Sequence, residues 1–195
     1  MKKQKNEKYT VDVPALEAEL KRVNLRIRFR TLLKSTVYTL IVTAAVAVLI
    51  AVFFMPVFRI YGSSMQPTLN EGQIVVSVKS TKVKRGDIVG VWWGSKLLVK
   101  RCIATAGDVV DIDEEGSVFV NGERIDEPYL VDKAKGDTNI ELPCRVPEHT
   151  VFVMGDKRST SIDSRNTSVG CVDLDDIGGI LLFSVWPFSS FGSIE

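Results

Sequence analysis

Residues 35–58 read S-T-V-Y-T-L-I-V-T-A-A-V-A-V-L-I-A-V-F-F-M-P-V-F, 24 residues without a charge between Lys34 and Arg59. As a helix this run would measure roughly 36 Å, enough to cross the roughly 30 Å hydrocarbon core of a bilayer. A cleavable leader would have a shorter apolar region and a small-x-small pattern at its end. This run is long and closes in F-F-M-P-V-F, which predicts a retained membrane anchor. The anchor divides the chain into a basic tail and amphipathic helix over 1–34, a transmembrane segment over 35–58 and a larger region over 59–195.

Charge follows the same division. Residues 1–34 hold ten Lys/Arg and four Asp/Glu, and six of the basic residues lie between Lys21 and Lys34. A basic flank marks the cytoplasmic side of a span. The expected topology is a single pass through the cell membrane, N-terminus cytoplasmic and residues 59–195 extracytoplasmic. That outer region carries fifteen basic against twenty acidic residues, which argues against nucleic-acid binding. It also holds Cys102, Cys144 and Cys171. Outside the cell cysteines oxidise, and three can form at most one internal bridge, whose pairing the spacing leaves open. With one histidine and no C-x-x-C, a metal site is not expected.

Residues 1–12 read as a polar tail. A helix is expected from about Asp12, with Pro14 in its first turn and Leu16, Leu20, Val23 and Ile27 at helical spacing. It either lies at the inner membrane surface or runs on into the anchor. After Arg59 the pattern changes to short β-like runs: 73–78, 87–93, 96–105, 109–112, 117–120, 151–154 and 179–185. Turn signals such as N-E-G and A-G-D separate them, and Asn121-Gly122 predicts a type I′ hairpin. The fold class is therefore mainly β: one N-terminal transmembrane helix, then an all-β barrel or sandwich.

Chemistry concentrates in three places. The first is Y-G-S-S-M-Q-P-T-L (Tyr61–Leu69), with two adjacent serines just beyond the anchor. The lone His149 sits in P-E-H-T, a polar turn, and is a poor base candidate. A lysine can replace histidine as the base only if it is neutral, which requires apolar surroundings. Of the 14 lysines, Lys100 fits best, in K-L-L-V-K-R-C-I-A with Leu98 and Cys102 on its own strand face. An edge-strand lysine that discourages aggregation is the competing explanation. The third place is M-G-D-K-R-S-T-S-I-D-S-R (Met154–Arg165), a polar loop after an apolar strand, suited to holding a base.

In this order, with R-G-D-I-V (Arg85–Val89), V-K-R (Val99–Arg101), A-G-D (Ala106–Asp108) and W-P-F (Trp186–Phe188), these motifs resemble the bacterial type I signal peptidases. The resemblance runs from Ser35 to the C-terminus. It implies a Ser-Lys serine endopeptidase that removes signal peptides from secreted preproteins after small residues, without cofactor or metal. It implies Ser64 as nucleophile and Lys100 as general base, with Ser161 orienting the lysine and Asp163 and Arg165 in support. It further implies that Ile60, Met65 and Val99 help line the substrate pocket. Two departures stand out. Gly62 replaces a serine whose hydroxyl can aid the oxyanion hole, leaving the backbone N–H of Ser64 as the donor carried over. Lys157 and Ser159 stand where Asn and Asp are usual. An inactive anchored relative acting in assembly would lack the Ser64–Lys100 pair, and a self-cleaving Ser-Lys repressor would need a DNA-binding segment. The expected partners are preproteins and the lipid bilayer. Trp92, Trp93, Trp186 and Phe188 are candidate interfacial anchors, with core packing as the alternative.

Overall fold

The computed structural model describes residues 12–194. The expected tail lies outside them except for Asp12. One helix, α1, runs without interruption from Val13 to Phe54. Its amphipathic start and the apolar run are thus one element. The Asp12 carbonyl accepts the Leu16 amide at 3.1 Å, and Pro14 occupies the first turn, where a missing N–H costs no hydrogen bond. None of its residues is buried. The uncharged stretch from Ser35 to Phe54 spans roughly 30 Å at helical rise. Its hydroxyls are satisfied within the helix: Thr36, Thr39 and Thr43 donate to the carbonyls of Leu32, Ser35 and Thr39 at 2.9–3.0 Å. Such internal satisfaction suits a segment without water around it. The helix stops four residues before the uncharged run does. Pro56 cannot continue it, and Val57–Phe58 enter the first strand instead.

Residues 51–195 form a separate compact unit made of two antiparallel sheets. The larger takes β1 (Val57–Arg59), β2 (Ile74–Val78), β3 (Ile88–Trp93), β4 (Lys96–Thr105), β9 (Thr150–Met154), β10 (Val172–Asp173), β11 (Ile177–Trp186) and β12 (Gly192–Ser193). Its order is β1-β2-β11-β3-β4-β9-β10, with β12 paired to β11. The smaller takes β5 (Val109–Ile112), β6 (Val118–Val120), β7 (Glu123–Arg124) and β8 (Cys144–Arg145), in the order β7-β6-β5-β8. All seven expected β runs are strands. Asn121 and Gly122 link β6 to β7 with φ of 56° and 82°, the positive pair that a type I′ turn requires.

The core lies in three apolar clusters. Along β9, Phe152 and Met154 pack with Val110, Val118 and Val146, while Val151 and Val153 pack with Val89, Val91 and Ile180. The strand is buried on both faces, which is why it reads as a continuous apolar run. The third cluster joins Ile60, Met65 and Leu69 to Val75, Ile88 and Leu181. Met65 and Leu69 are each 2% exposed, and burying two such side chains stabilises by about 3–6 kcal/mol. They anchor the loop that carries the serines. The loop closes at its base through Ile60 N–H to Gln73 O (2.8 Å) and Gly72 N–H to Ile60 O (2.9 Å).

Candidate active site

Ser64 follows a sharp bend. Gly62 has φ +81°, a backbone conformation that L side chains rarely adopt, and the next residues turn back through Gln66 N–H to Ser63 O (3.1 Å) and Leu69 N–H to Met65 O (2.8 Å). The half-buried Ser64 therefore sits between a glycine turn and the buried Met65.

Lys100 reaches it from β4. This strand lies inside the sheet between β3 and β9, with Lys100 opposite Val89, so the edge-strand explanation fails. Lys100 is 4% exposed. Its Nζ lies 2.9 Å from Ser64 Oγ and 3.1 Å from Ser161 Oγ. Of the two adjacent serines, it is Ser64 whose hydroxyl meets the amine. Burial is the main influence on the amine and lowers its pKa to about 8. The charge of Asp163 opposes this shift, Arg165 reinforces it and Asp156 opposes it. With a pKa near 8 roughly a fifth of the amine is neutral near physiological pH, against about a thousandth for an ordinary lysine, and that fraction has a lone pair for a proton.

The loop after β9 fixes Ser161. Gly155 begins it, and a Cβ there would collide with Ser161 Oγ and with the Ser64 carbonyl, so only glycine allows the approach. Its N–H donates to Asp163 Oδ2 at 2.9 Å. Arg165 grips the same carboxylate with two bonds of 2.8 Å and donates to the carbonyls of Lys135 (2.8 Å) and Arg158 (3.0 Å). Asp163 and Arg165 are fully buried. Burial alone would raise the Asp163 pKa, but the hydrogen bonds and charge of Arg165, with the Gly155 amide, hold it below the usual carboxylate range. The unusual Lys157 takes part through its backbone: its N–H donates to Ser64 O at 3.0 Å. That contact is indifferent to the side chain, which explains why Lys can stand there.

Several buried charges escaped the sequence reading. Arg101, next to Lys100, donates to both carboxylate oxygens of Asp156 (3.0 and 2.9 Å), and its guanidinium lies 3.9 Å from the Tyr129 ring centroid. Thr68 also donates to Asp156, tying the serine loop to the same carboxylate. Glu127 pairs with buried Arg158, whose Nε donates to the Gly155 carbonyl at 3.2 Å. The only available signal was the presence of Arg101, Asp156 and Arg158 in the quoted motifs; nothing pointed to Glu127.

Ile60, Met65 and Val99 come together in the third apolar cluster, Ile60 and Met65 almost fully buried. The chain on either side of Ser64 lines two clefts. One, about 610 Å³, is bordered by Arg59, Tyr61, Gly62, Leu97 and Leu98. The other, about 230 Å³, is bordered by Gln66, Pro67, Val131 and Lys157. His149 is on an exposed turn, φ +62°, beside Asp173 and Asp175, apart from the serine–lysine contact. Trp92, Trp93, Trp186 and Phe188 are all exposed, which disfavours a core-packing role for them.

The family model described as signal peptidase, peptidase S26, matches residues 33–186. A signal peptidase I of Bacillus licheniformis is 34% identical over 166 residues, covering 78% of this chain and 88% of that protein. Signal peptidase I T of Bacillus subtilis (strain 168) is 32% identical over 163 residues, covering 77% of this chain and 83% of its own length. A crystallised signal peptidase I of Enterococcus faecalis V583 is 28% identical, covers 51% of this chain and 97% of its own, and has a TM-score of 0.44.

Proposed function

The chain belongs to the signal peptidase family, peptidase S26, and from that premise we propose that it cuts signal peptides from membrane-bound preproteins with Ser64 as nucleophile and Lys100 as general base. The observation that carries this assignment is the 2.9 Å contact between a buried, pKa-lowered lysine and a serine hydroxyl. Neutral Lys100 takes the Ser64 proton as Oγ attacks the carbonyl carbon of the scissile bond. The Ser64 backbone N–H stabilises the oxyanion. Protonated Lys100 then returns the proton to the leaving amine, and water activated by the same amine hydrolyses the acyl-enzyme. Ser161 keeps the amine aimed, and the Asp163–Arg165 pair holds the Ser161 loop in shape.

The cleft beside Tyr61, Gly62 and Leu98 receives the residues before the cut, with Ile60, Met65 and Val99 setting its floor and its preference for small side chains. Residues after the cut pass toward Gln66 and Lys157. Residues 59–195 lie outside the cytoplasm. Ser64 is ten residues beyond Phe54, where the helix ends, at most roughly 35 Å of extended chain, so the site stays tethered within that reach of the bilayer surface, where a signal peptide emerges. The exposed Trp92, Trp93, Trp186 and Phe188 suit that interface, where amphipathic rings accumulate.

The test is cleavage of a model preprotein by the detergent-solubilised enzyme. Ser64→Ala and Lys100→Ala should both fall to background while Ser63→Ala stays active. Undiminished cleavage by either of the first two sinks the pair. Topology is tested separately by adding protease to intact cells, where protection of residues 59–195 would overturn the outward placement.

A further inference from the structure

The sequence allows one internal bridge among three cysteines, and the structure separates them. Cys102 is 0% exposed within the cluster of Val89, Val91 and Val153. Cys144 and Cys171 are half-buried and pack against a different cluster, the one built on Phe152, Val110 and Val146. Both sit against this one cluster, in contact range, so that the Cys144 sulfur helps to raise the pKa of the Cys171 thiol. The topology gives that contact a meaning. Cys144 is in β8, an edge strand of the smaller sheet, opposite Val110 of β5. Cys171 immediately precedes β10, an edge strand of the larger sheet, whose Val172 lies opposite Val151 of β9. The contact joins the edges of the two sheets, and the chain between the cysteines includes β9 and the loop that carries Ser161, Asp163 and Arg165.

We propose that Cys144 and Cys171 are a redox pair that closes to a disulfide, stapling the two sheets together around the loop that positions Lys100. Closure removes two protons and two electrons from the pair, forming one S–S bond. The acceptor is an external disulfide, such as oxidised glutathione or an oxidised dithiol protein, which leaves as two thiols. One cysteine thiolate displaces the first leaving thiol, and the other then displaces the second by attack on the mixed disulfide. Burial, reinforced by the Cys144 sulfur, pushes the Cys171 thiol up to about 11, so exchange accelerates as pH rises. Burial likewise pushes the Cys102 thiol up to about 12, which keeps it out of the exchange. The availability of an oxidant in the cell rests on the outward placement proposed above; the pairing itself does not.

The experiment equilibrates the purified full-length enzyme in detergent with mixtures of oxidised and reduced glutathione, then traps thiols with acid and alkylation. Peptide mass analysis should show a Cys144–Cys171 cross-link under oxidising mixtures, with Cys102 alkylated after denaturation. Reductant should lower the melting temperature by roughly 5–10 °C. Cys144→Ser and Cys171→Ser should each lose that response. The pair is overturned if both thiols stay alkylatable in the most oxidising mixture, or if Cys102 is the linked partner. Cross-linking without a reductant-sensitive melt overturns the staple. Protection from protease in intact cells would refute the outward placement and leave the pairing result standing.

Discussion

Lys100 and Arg101 are chain neighbours on β4, 4% and 3% exposed, yet their surroundings differ in kind. Arg101 has a carboxylate gripped by two hydrogen bonds, the Gly86 carbonyl at 3.0 Å and an aromatic face. Lys100 makes hydrogen bonds to two hydroxyls and to no carboxylate. Equal burial therefore has opposite consequences. A guanidinium that stays charged needs a matched anion, whereas an amine given only hydroxyls is pushed toward neutrality. The nearby acids do not cancel this effect, because Asp156 is engaged by Arg101 and Asp163 by Arg165. The ion pairs around the site thus occupy the carboxylates that would otherwise hold Lys100 charged.

The largest way to break this contrast is Lys100→Arg. It preserves charge and reach but supplies no lone pair at any working pH. Cleavage should fall by about 10⁴-fold, without recovery at high pH. A pH-restored activity would show that the amine is not the base. The reciprocal change acts on the fold. Arg101→Ala leaves Asp156 buried without its main cation and should destabilise by about 3–5 kcal/mol, read as a lowered melting temperature. Asp156→Asn in the same background should recover much of that loss. If it does not, packing of Arg101 on Tyr129 is the larger contribution.

How much of this was readable in the chain follows from the range of the interactions. The long strands appear in sequence because Val- and Ile-rich runs such as I-V-V-S-V carry their preference locally. The short strands β1, β8, β10 and β12 do not appear, since two or three residues become a strand only through a partner elsewhere, whereas the equally short β6 and β7 are marked by the Asn121-Gly122 turn between them. The helix ends four residues before the uncharged run because Pro56, which carries no charge, is what stops it. Lys100 stood out through its apolar neighbours on one strand. The Arg101–Asp156 contact spans 55 residues and Glu127–Arg158 spans 31, and no local pattern announces either. The proposed pairing of Cys144 with Cys171 is illegible in the sequence for the same reason: it depends on where two sheet edges meet.

A subtler test separates the stability cost of Lys100 from its use. Its folded pKa of about 8 lies below the ordinary 10.5. Between these values the unfolded chain binds more protons, so stability rises with pH across that window and the full penalty, roughly 3 kcal/mol, applies below it. Lys100→Met should therefore melt higher than the native protein at pH 6, with the gap closing between about pH 8 and 10. Equal melting at pH 6 would mean that the two hydroxyls compensate the buried charge.

The smallest expected effect is the most discriminating. Ser161→Ala removes a hydroxyl 3.1 Å from Nζ while leaving Lys100 equally buried. If burial sets the pKa and Ser161 only aims the amine, activity should fall about 10-fold through lost positioning. The rising limb of the pH–rate profile should stay near pH 8, because Lys100 must still lose its proton to act. The Ser161→Thr variant, which keeps a hydroxyl, should recover part of the rate without moving the limb. A limb displaced by a full pH unit in Ser161→Ala would assign the hydroxyl a share of the pKa shift. The contrast between Lys100 and Arg101 would then rest on specific hydroxyl contacts more than on the absence of a carboxylate.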